Sequence, residues 1–87
     1  MERTLKVMND EGLHARPAAI LVKEANAFSS NVEVVVNGNA TNAKSIMGLM
    51  ALGLKKDSEF TIRAEGDDAE TAVETLATLV NNKFNLH

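Results

Sequence analysis

The stretch Gly12-Leu13-His14-Ala15-Arg16-Pro17-Ala18-Ala19 marks the point at which the sequence changes from strand periodicity to helix periodicity. Before it, apolar and polar residues alternate over residues 3–8, which predicts a half-buried strand. After it, apolar residues recur at steps of three and four, which predicts a helix that begins just after His14 and ends around Phe28. Pro17 fits the first turn of that helix, where the missing N–H costs nothing. His14 is therefore predicted at or near the N-cap.

Length and composition predict one small domain over residues 1–87, of ordinary globular character. The chain is 45% hydrophobic and carries a formal net charge of −3. It contains no cysteine, which excludes disulfides and cysteine-ligated zinc, and no apolar run approaches the roughly 20 residues of a membrane span. We therefore expect a soluble, cytoplasmic protein. The negative charge and the presence of only three aromatic residues argue against nucleic acid as a partner.

The middle of the chain predicts a hairpin followed by a short helix. Residues 32–36 alternate strictly, and Asn37-Gly38 is typical of a type I′ turn that leads into a return strand over residues 39–43. Residues 44–52 predict a helix with Ser45 as its N-cap. This helix is apolar on almost every side, in too few turns to be buried everywhere, so we expect it to divide its side chains between core and surface.

The last third of the chain predicts a strand around residues 59–65 and a helix that begins at Gly66-Asp67-Asp68, where Asp67 and Glu70 resemble a capping box. The predicted order is βαββαβα. Because each strand alternates and each helix has one apolar stripe, we expect an α+β fold with a four-stranded antiparallel sheet and three helices on one face. The first six elements favour a ferredoxin-like split β-α-β arrangement with a third helix appended.

His14 combines with its neighbours in a pattern that favours phosphoryl chemistry. A neutral imidazole is a good nucleophile, and its charge changes easily near neutral pH. A phosphoryl group on it would meet the helix N–H groups of Ala15 and Arg16 and the Arg16 guanidinium. The sequence contains neither a glycine-rich nucleotide loop nor an evident Mg²⁺ carboxylate cluster, so the phosphoryl group would come from another protein.

Two other interpretations of His14 remain open at this point. A histidine near a helix start is, in most proteins, a solvated or capping residue. Asn9, Asp10 and Glu11 indicate a weak cation site, but their carboxylates have no fixed ligand spacing, and the only other histidine is the terminal His87, which we expect to be frayed. We therefore predict no metal site.

The motif Gly12-Leu13-His14-Ala15-Arg16-Pro17-Ala18 resembles the active-site segment of the HPr family, the histidine-containing phosphocarriers of the bacterial phosphoenolpyruvate:sugar phosphotransferase system. The segment Asn42-Ala43-Lys44-Ser45-Ile46-Met47-Gly48-Leu49-Met50 resembles that family's second motif. The resemblance covers essentially the whole chain, including the Asn37-Gly38 hairpin and the start of the last helix at Gly66-Asp67-Asp68. It implies a single HPr-like domain with the family's open-faced β-sandwich fold.

The resemblance also implies a function and its residues. His14 would accept a phosphoryl group on Nδ1 from phosphorylated enzyme I and donate it to the EIIA domain of a sugar transporter. Arg16 would stabilise the transferring group, the backbone N–H groups of Ala15 and Arg16 would bind it, and Gly12 would shape the loop. Such a protein is a carrier rather than an enzyme, needs no cofactor, and is expected to be a monomer.

The second motif implies regulation and docking. Ser45 matches the serine that a bifunctional HPr kinase/phosphorylase modifies in one branch of the family, and the modified form would engage a transcriptional regulator. Ile46, Met47 and Met50 match positions that contact partners, and methionine suits a surface that fits several partners. The alternatives are that Ser45 is only an N-cap and that these apolar side chains pack against the sheet.

Two residues depart from the family pattern. Glu11 stands where a small polar residue is common; its carboxylate could repel a phosphoryl group unless it turns to solvent, or tune the lifetime of phospho-His14. Asp57 stands where glycine is common, and aspartate tolerates left-handed backbone.

The rival functions are a regulatory relative, in catabolite repression or a nitrogen-related relay, and a small ligand- or RNA-binding module. The catabolite-repression paralogue lacks the histidine that this chain has, which disfavours a purely regulatory role.

Overall fold

The computed structural model describes residues 1–85, and within them the predicted order of strands and helices is confirmed. A short turn follows the last helix. The elements are β1 (Glu2–Lys6), α1 (Ala15–Ala25), β2 (Asn31–Val36), β3 (Asn39–Asn42), α2 (Ile46–Ala51), β4 (Glu59–Glu65) and α3 (Ala69–Asn81), followed by the turn Lys83–Asn85.

The strands form one antiparallel sheet in the order β1-β4-β2-β3. Both crossovers are split β-α-β units, because β4 lies between β1 and β2, and β2 lies between β4 and β3. The predicted ferredoxin-like arrangement is wrong in its strand order, since there β1 and β3 would be the central strands. Burial agrees with the observed order: β4 buries Phe60, Ile62 and Ala64, whereas β1 buries only Leu5, so the strand with the most buried side chains lies in the centre.

The helices cover one face of the sheet and leave the other face to solvent, as predicted. The covered face contributes Val32, Val34 and Ile62 to a core closed by α1 and α3, while α2 packs against α1 and β3. The open face carries polar groups, including Arg63, whose Nε and Nη2 groups both donate to Oε1 of Glu33. Among residues 1–85, no helix is long and apolar enough to cross a membrane.

The helix α1 is shorter than predicted and ends at Ala25 rather than around Phe28. The side-chain amide of Asn26 donates to the carbonyl oxygen of Val22 at 3.0 Å, and the following N–H groups switch to carbonyls three residues back, so the last turn tightens and stops. Phe28 nevertheless packs against the core.

The predicted capping box between Asp67 and Glu70 is wrong. Asp68 is the N-cap of α3, and its carboxylate turns away from the helix to the loop after α1, where it accepts the backbone N–H groups of Ser29 and Ser30, both at 2.9 Å, and the Ser30 hydroxyl. These bonds satisfy donors of a neighbouring loop, including those of the buried Ser30, which a helix cap would leave unpaired.

The chain after α3 turns back to bury Phe84, which is 1% exposed. Lys83, Phe84 and Asn85 all have positive φ, between 56° and 59°, so the turn is left-handed. The prediction that His87 is frayed falls outside the described residues.

Candidate functional site

The loop before α1 is a tight turn that begins at Asn9 and ends at Gly12. The N–H of Gly12 donates to the carbonyl oxygen of Asn9 at 3.2 Å, and the Asn9 side-chain amide donates back to the Gly12 carbonyl at 2.6 Å. Gly12 has φ +74°, and a Cβ there would collide with the carbonyl oxygen of Leu54. A side chain at position 12 is therefore excluded by both backbone conformation and space.

The segment between α2 and β4 braces this turn from the other side. The Leu13 N–H donates to Leu54 O at 2.9 Å, and Val7 exchanges backbone hydrogen bonds with Asp57 and Ser58 at 2.8 and 2.9 Å. Asp57 has φ +71°, which confirms that aspartate tolerates the left-handed conformation here. A salt bridge joins the Lys56 ammonium to the Asp10 carboxylate at 2.9 Å and lowers the pKa of Asp10.

His14 lies at the N-cap of α1, as predicted. Its backbone is extended, and its carbonyl accepts the Ala18 N–H at 2.9 Å, which is the first bond of the helix. The imidazole makes no capping hydrogen bond, so a side-chain cap does not explain this histidine. Instead, Nε2 lies 3.0 Å from Oε2 of Glu11, and the side chains of His14 and Glu11 are 41% and 70% exposed. The ring is tethered by one nitrogen and open to solvent.

The start of α1 presents two backbone donors beside the ring. The N–H groups of Ala15 and Arg16 make no hydrogen bond within residues 1–85, and Pro17 has none to offer. Arg16 is exposed and forms no salt bridge in that part of the chain. The site can therefore receive an anion through two N–H groups, the positive end of the helix dipole and a guanidinium.

The second motif forms the start of α2, which packs against α1. Ser45 is the N-cap, and its hydroxyl accepts the Gly48 N–H at 3.2 Å. The helix divides its side chains as expected, because Leu49 is fully buried whereas Met47 is 80% exposed and Met50 45% exposed. We call Ile46, Met47 and Met50 the α2 patch; Ile46 is 38% exposed.

Sequence reasoning missed two features of the site. It considered Asn9 only as part of a weak cation site, although Asn9 is only 5% exposed and fastens the turn. It also considered Glu11 only as part of a weak cation site and as a carboxylate that could repel the phosphoryl group or tune the lifetime of phospho-His14, and it did not predict the contact with His14. The signal for the first was available, because Asn followed three residues later by Gly is typical of a β-turn.

No group of three or more potential metal-ligating side chains occurs among the residues that the structure describes.

Comparisons with known proteins identify the family. A model for the family PTS-HPr, described as "PTS HPr component phosphorylation site", matches residues 1–82. The phosphocarrier protein HPr of Buchnera aphidicola is 49% identical over 76 residues, which cover 87% of this chain and 89% of that protein.

Two solved structures are similar over almost the whole chain, which confirms the predicted α+β fold. HPr-C-His from Thermoanaerobacter tengcongensis superposes with a TM-score of 0.95 at 44% identity, covering 100% of this chain and 98% of that one. Crh, the catabolite repression containing protein of Bacillus subtilis, described as a swapped-domain dimer, superposes at 0.77 and 46% identity, covering 91% of each chain. With a family model that matches nearly its full length and a relative that is 49% identical, this chain belongs to the HPr family of the phosphotransferase system.

Proposed function

We propose that this protein carries a phosphoryl group on His14, accepting it from phosphorylated enzyme I and donating it to EIIA domains of sugar transporters. The observation that carries the proposal is the family match, which includes the phosphorylation-site motif, together with an exposed His14 at a helix start. The protein supplies the nucleophile and the anion site but no energy source, so it works as a carrier between partner enzymes and needs no cofactor.

The transfer step uses the lone pair of Nδ1 on His14. As Nδ1 bonds to phosphorus, the bond between phosphorus and the donor breaks, and its electron pair stays with the donor. The N–H groups of Ala15 and Arg16 and the Arg16 guanidinium then donate to the phosphoryl oxygens. Donation to an EIIA domain runs the same step in the opposite direction. Gly12 matters because it lets the loop approach Leu54 and so fixes the start of the helix.

The α2 patch is the proposed docking surface for enzyme I and EIIA domains. Three apolar side chains stand exposed on a short helix that packs against the helix of the phosphorylation site. Ser45, at the start of the same helix, is the proposed target of an HPr kinase/phosphorylase. A phosphoryl group there would add negative charge beside the patch and so change which partners bind, a transcriptional regulator among them.

The second candidate function is that of a regulator in catabolite repression or a nitrogen-related relay. It is kept because one similar structure, Crh, is described as a catabolite repression protein. The presence of His14 favours the carrier. For the assembly we propose a monomer, because His14, Glu11 and Arg16 form the site within one chain. Sedimentation equilibrium distinguishes a monomer from a dimer. We also propose that the protein acts in the cytoplasm.

The deciding experiment is transfer of labelled phosphate from phosphoenolpyruvate through purified enzyme I. We expect the wild-type protein to take up one acid-labile label and pass it to an EIIA domain, and the His14→Ala variant to take up none. An unlabelled wild-type protein, or a labelled His14→Ala variant, contradicts the carrier function and leaves the regulatory candidate.

A variant of the docking surface serves as the companion control. Met47→Ser keeps the phosphorylation site intact, so it should reach the same final label while requiring a higher protein concentration for half-maximal rate, because Met47 is 80% exposed and supports no packing. An unchanged concentration dependence would remove Met47 from the docking surface.

A further inference from the structure

The contact between Glu11 and His14 carries an inference that deepens the proposed phosphocarrier function and rests on it. The two side chains are three residues apart, and Oε2 of Glu11 lies 3.0 Å from Nε2 of His14. A carboxylate beside a phosphorylation site needs a physical account, because it repels a phosphoryl group if the two come close.

The chemistry of the contact determines the state of the ring. An ionised carboxylate has only acceptor oxygens, so the hydrogen bond requires Nε2 to carry the proton. A neutral imidazole has one N–H and one lone pair, so Nδ1 then bears the lone pair. Nδ1 makes no hydrogen bond within residues 1–85, and the ring does not cap the helix. The nitrogen that is left unprotonated is therefore also the one that is free to react.

The loop makes this arrangement persistent. Glu11 is the third residue of the turn that Asn9 and Gly12 close with two hydrogen bonds, and that turn is fastened to Leu54 on the neighbouring segment. His14 is held by the first bond of α1. Both backbones are fixed, so only the rotamer freedom of the two side chains is lost when the pair forms. The Glu11 carboxylate contacts the Nε2 edge of the ring, and Nδ1 is on the other edge. Glu11 is therefore kept away from a phosphoryl group that approaches Nδ1.

We propose that Glu11 is a positioning residue that holds His14 as the Nε2–H tautomer and directs Nδ1 at phosphorus. When Nδ1 bonds to phosphorus, the Nε2 proton stays on the ring, and the ring gains a positive charge that the Glu11 carboxylate stabilises. When the phosphoryl group leaves, its bonding pair returns to Nδ1 and the neutral Nε2–H tautomer is restored. No proton is exchanged with solvent in either direction. The carboxylate therefore favours acceptance and stabilises the phosphorylated ring, and after donation it holds Nδ1 unprotonated for the next phosphoryl group.

The test uses the intact protein in two measurements, with Glu11→Ala and Glu11→Gln as variants. Because Glu11 is 70% exposed, neither substitution disturbs the core. Nitrogen-15 NMR of the neutral imidazole, with His87 as a second histidine in the same spectrum, reports which ring nitrogen holds the proton. We expect wild-type His14 to show a protonated Nε2 and an unprotonated Nδ1, and Glu11→Ala to move both signals toward the averaged values of an untethered ring.

The second measurement is the single-turnover rate of transfer from phosphorylated enzyme I at saturating donor. We expect the Glu11→Ala rate to fall by up to about fivefold, which is the effect of losing one exposed ion pair. Glu11→Gln keeps an oxygen that can accept a hydrogen bond from Nε2–H, so it should largely keep the wild-type tautomer. Its transfer rate should lie between those of the wild-type protein and Glu11→Ala. Glu24→Gln removes the same charge about 15 Å further along α1 and should change neither measurement.

Unchanged nitrogen signals in Glu11→Ala, or a transfer rate equal to or above that of the wild-type protein, overturn the inference; a faster variant would mean that Glu11 repels the phosphoryl group. If the wild-type protein accepts no phosphoryl group at all, the proposed function fails, and the role of Glu11 in transfer fails with it. The nitrogen signals still decide separately whether Glu11 sets the tautomer.

Discussion

Asp68 ties the loop after α1 to the start of α3 through one carboxylate. It accepts hydrogen bonds from the Ser30 hydroxyl and from the backbone N–H groups of Ser29 and Ser30, and these bonds lower its pKa to about 2. The bonds to the ionised form join segments 38 residues apart. Asp68 is therefore a structural acid, unlike Glu11, whose partner is the proposed phosphoryl acceptor.

The lowered pKa predicts an acid-dependent loss of stability. Because the folded-state pKa lies below the ordinary value of 3.8, Asp68 contributes its full stabilisation above about pH 4 and loses it progressively as the pH falls to about 2. Asp68→Asn should therefore lower the free energy of unfolding at pH 7, measured by urea denaturation. The difference from the wild-type protein should shrink toward zero at pH 2.

Asp67→Asn is the matched control, because Asp67 is exposed and adjacent but makes none of these bonds. It should leave the pH dependence unchanged. A deficit of Asp68→Asn that is as large at pH 2 as at pH 7 would contradict the assignment.

Elements differ in how completely they could be predicted. The hairpin between β2 and β3 is confirmed in detail, since Asn37 and Gly38 both have positive φ as a type I′ turn requires. The cap of α2 is confirmed as well, because Ser45 accepts the Gly48 N–H. The end of α1 and the start of α3 were mispredicted because side chains of Asn26 and Asp68 bond to groups that periodicity does not register.

At the start of α2, Ser45 combines a structural and a proposed regulatory role, and one substitution separates them. Ser45→Ala removes the hydrogen bond to Gly48 and should lower the free energy of unfolding by about 1 kcal/mol. Incubation with ATP and an HPr kinase/phosphorylase should label the wild-type protein and leave Ser45→Ala unlabelled. Ser29→Ala, in another loop, should retain the label.

A label that persists in Ser45→Ala would contradict the regulatory role proposed for Ser45 and would not affect its assignment as the N-cap of α2. No change in unfolding free energy would contradict the cap.

At the scale of the whole molecule, the turn Lys83–Asn85 packs against the helices and completes the core. Phe84 is buried in the core, and the turn that contains it lies against both α1 and α3. This segment after α3 therefore helps to hold the helices together. Phe84→Ala should lower the free energy of unfolding by about 3–5 kcal/mol, because it removes a fully buried aromatic side chain. Met47→Ala, at an exposed position, should change it by no more than about 0.5 kcal/mol.

Urea denaturation followed by circular dichroism measures both variants. A loss below about 1 kcal/mol for Phe84→Ala would show that the turn is not part of the cooperative core.

The sequence by itself determined the elements, the hairpin, the α2 cap and the family to which the chain belongs. The first three depend on interactions within about four positions along the chain, where periodicity and turn chemistry act. Only the tertiary structure decided the strand order, the partner of Asp68 and the burial of Asn9, because each depends on segments distant in sequence meeting in space. The contact of Glu11 with His14 is local in sequence, yet it too needed the structure. The direction of both side chains depends on the backbone of the turn, which the distant Leu54 helps to fix.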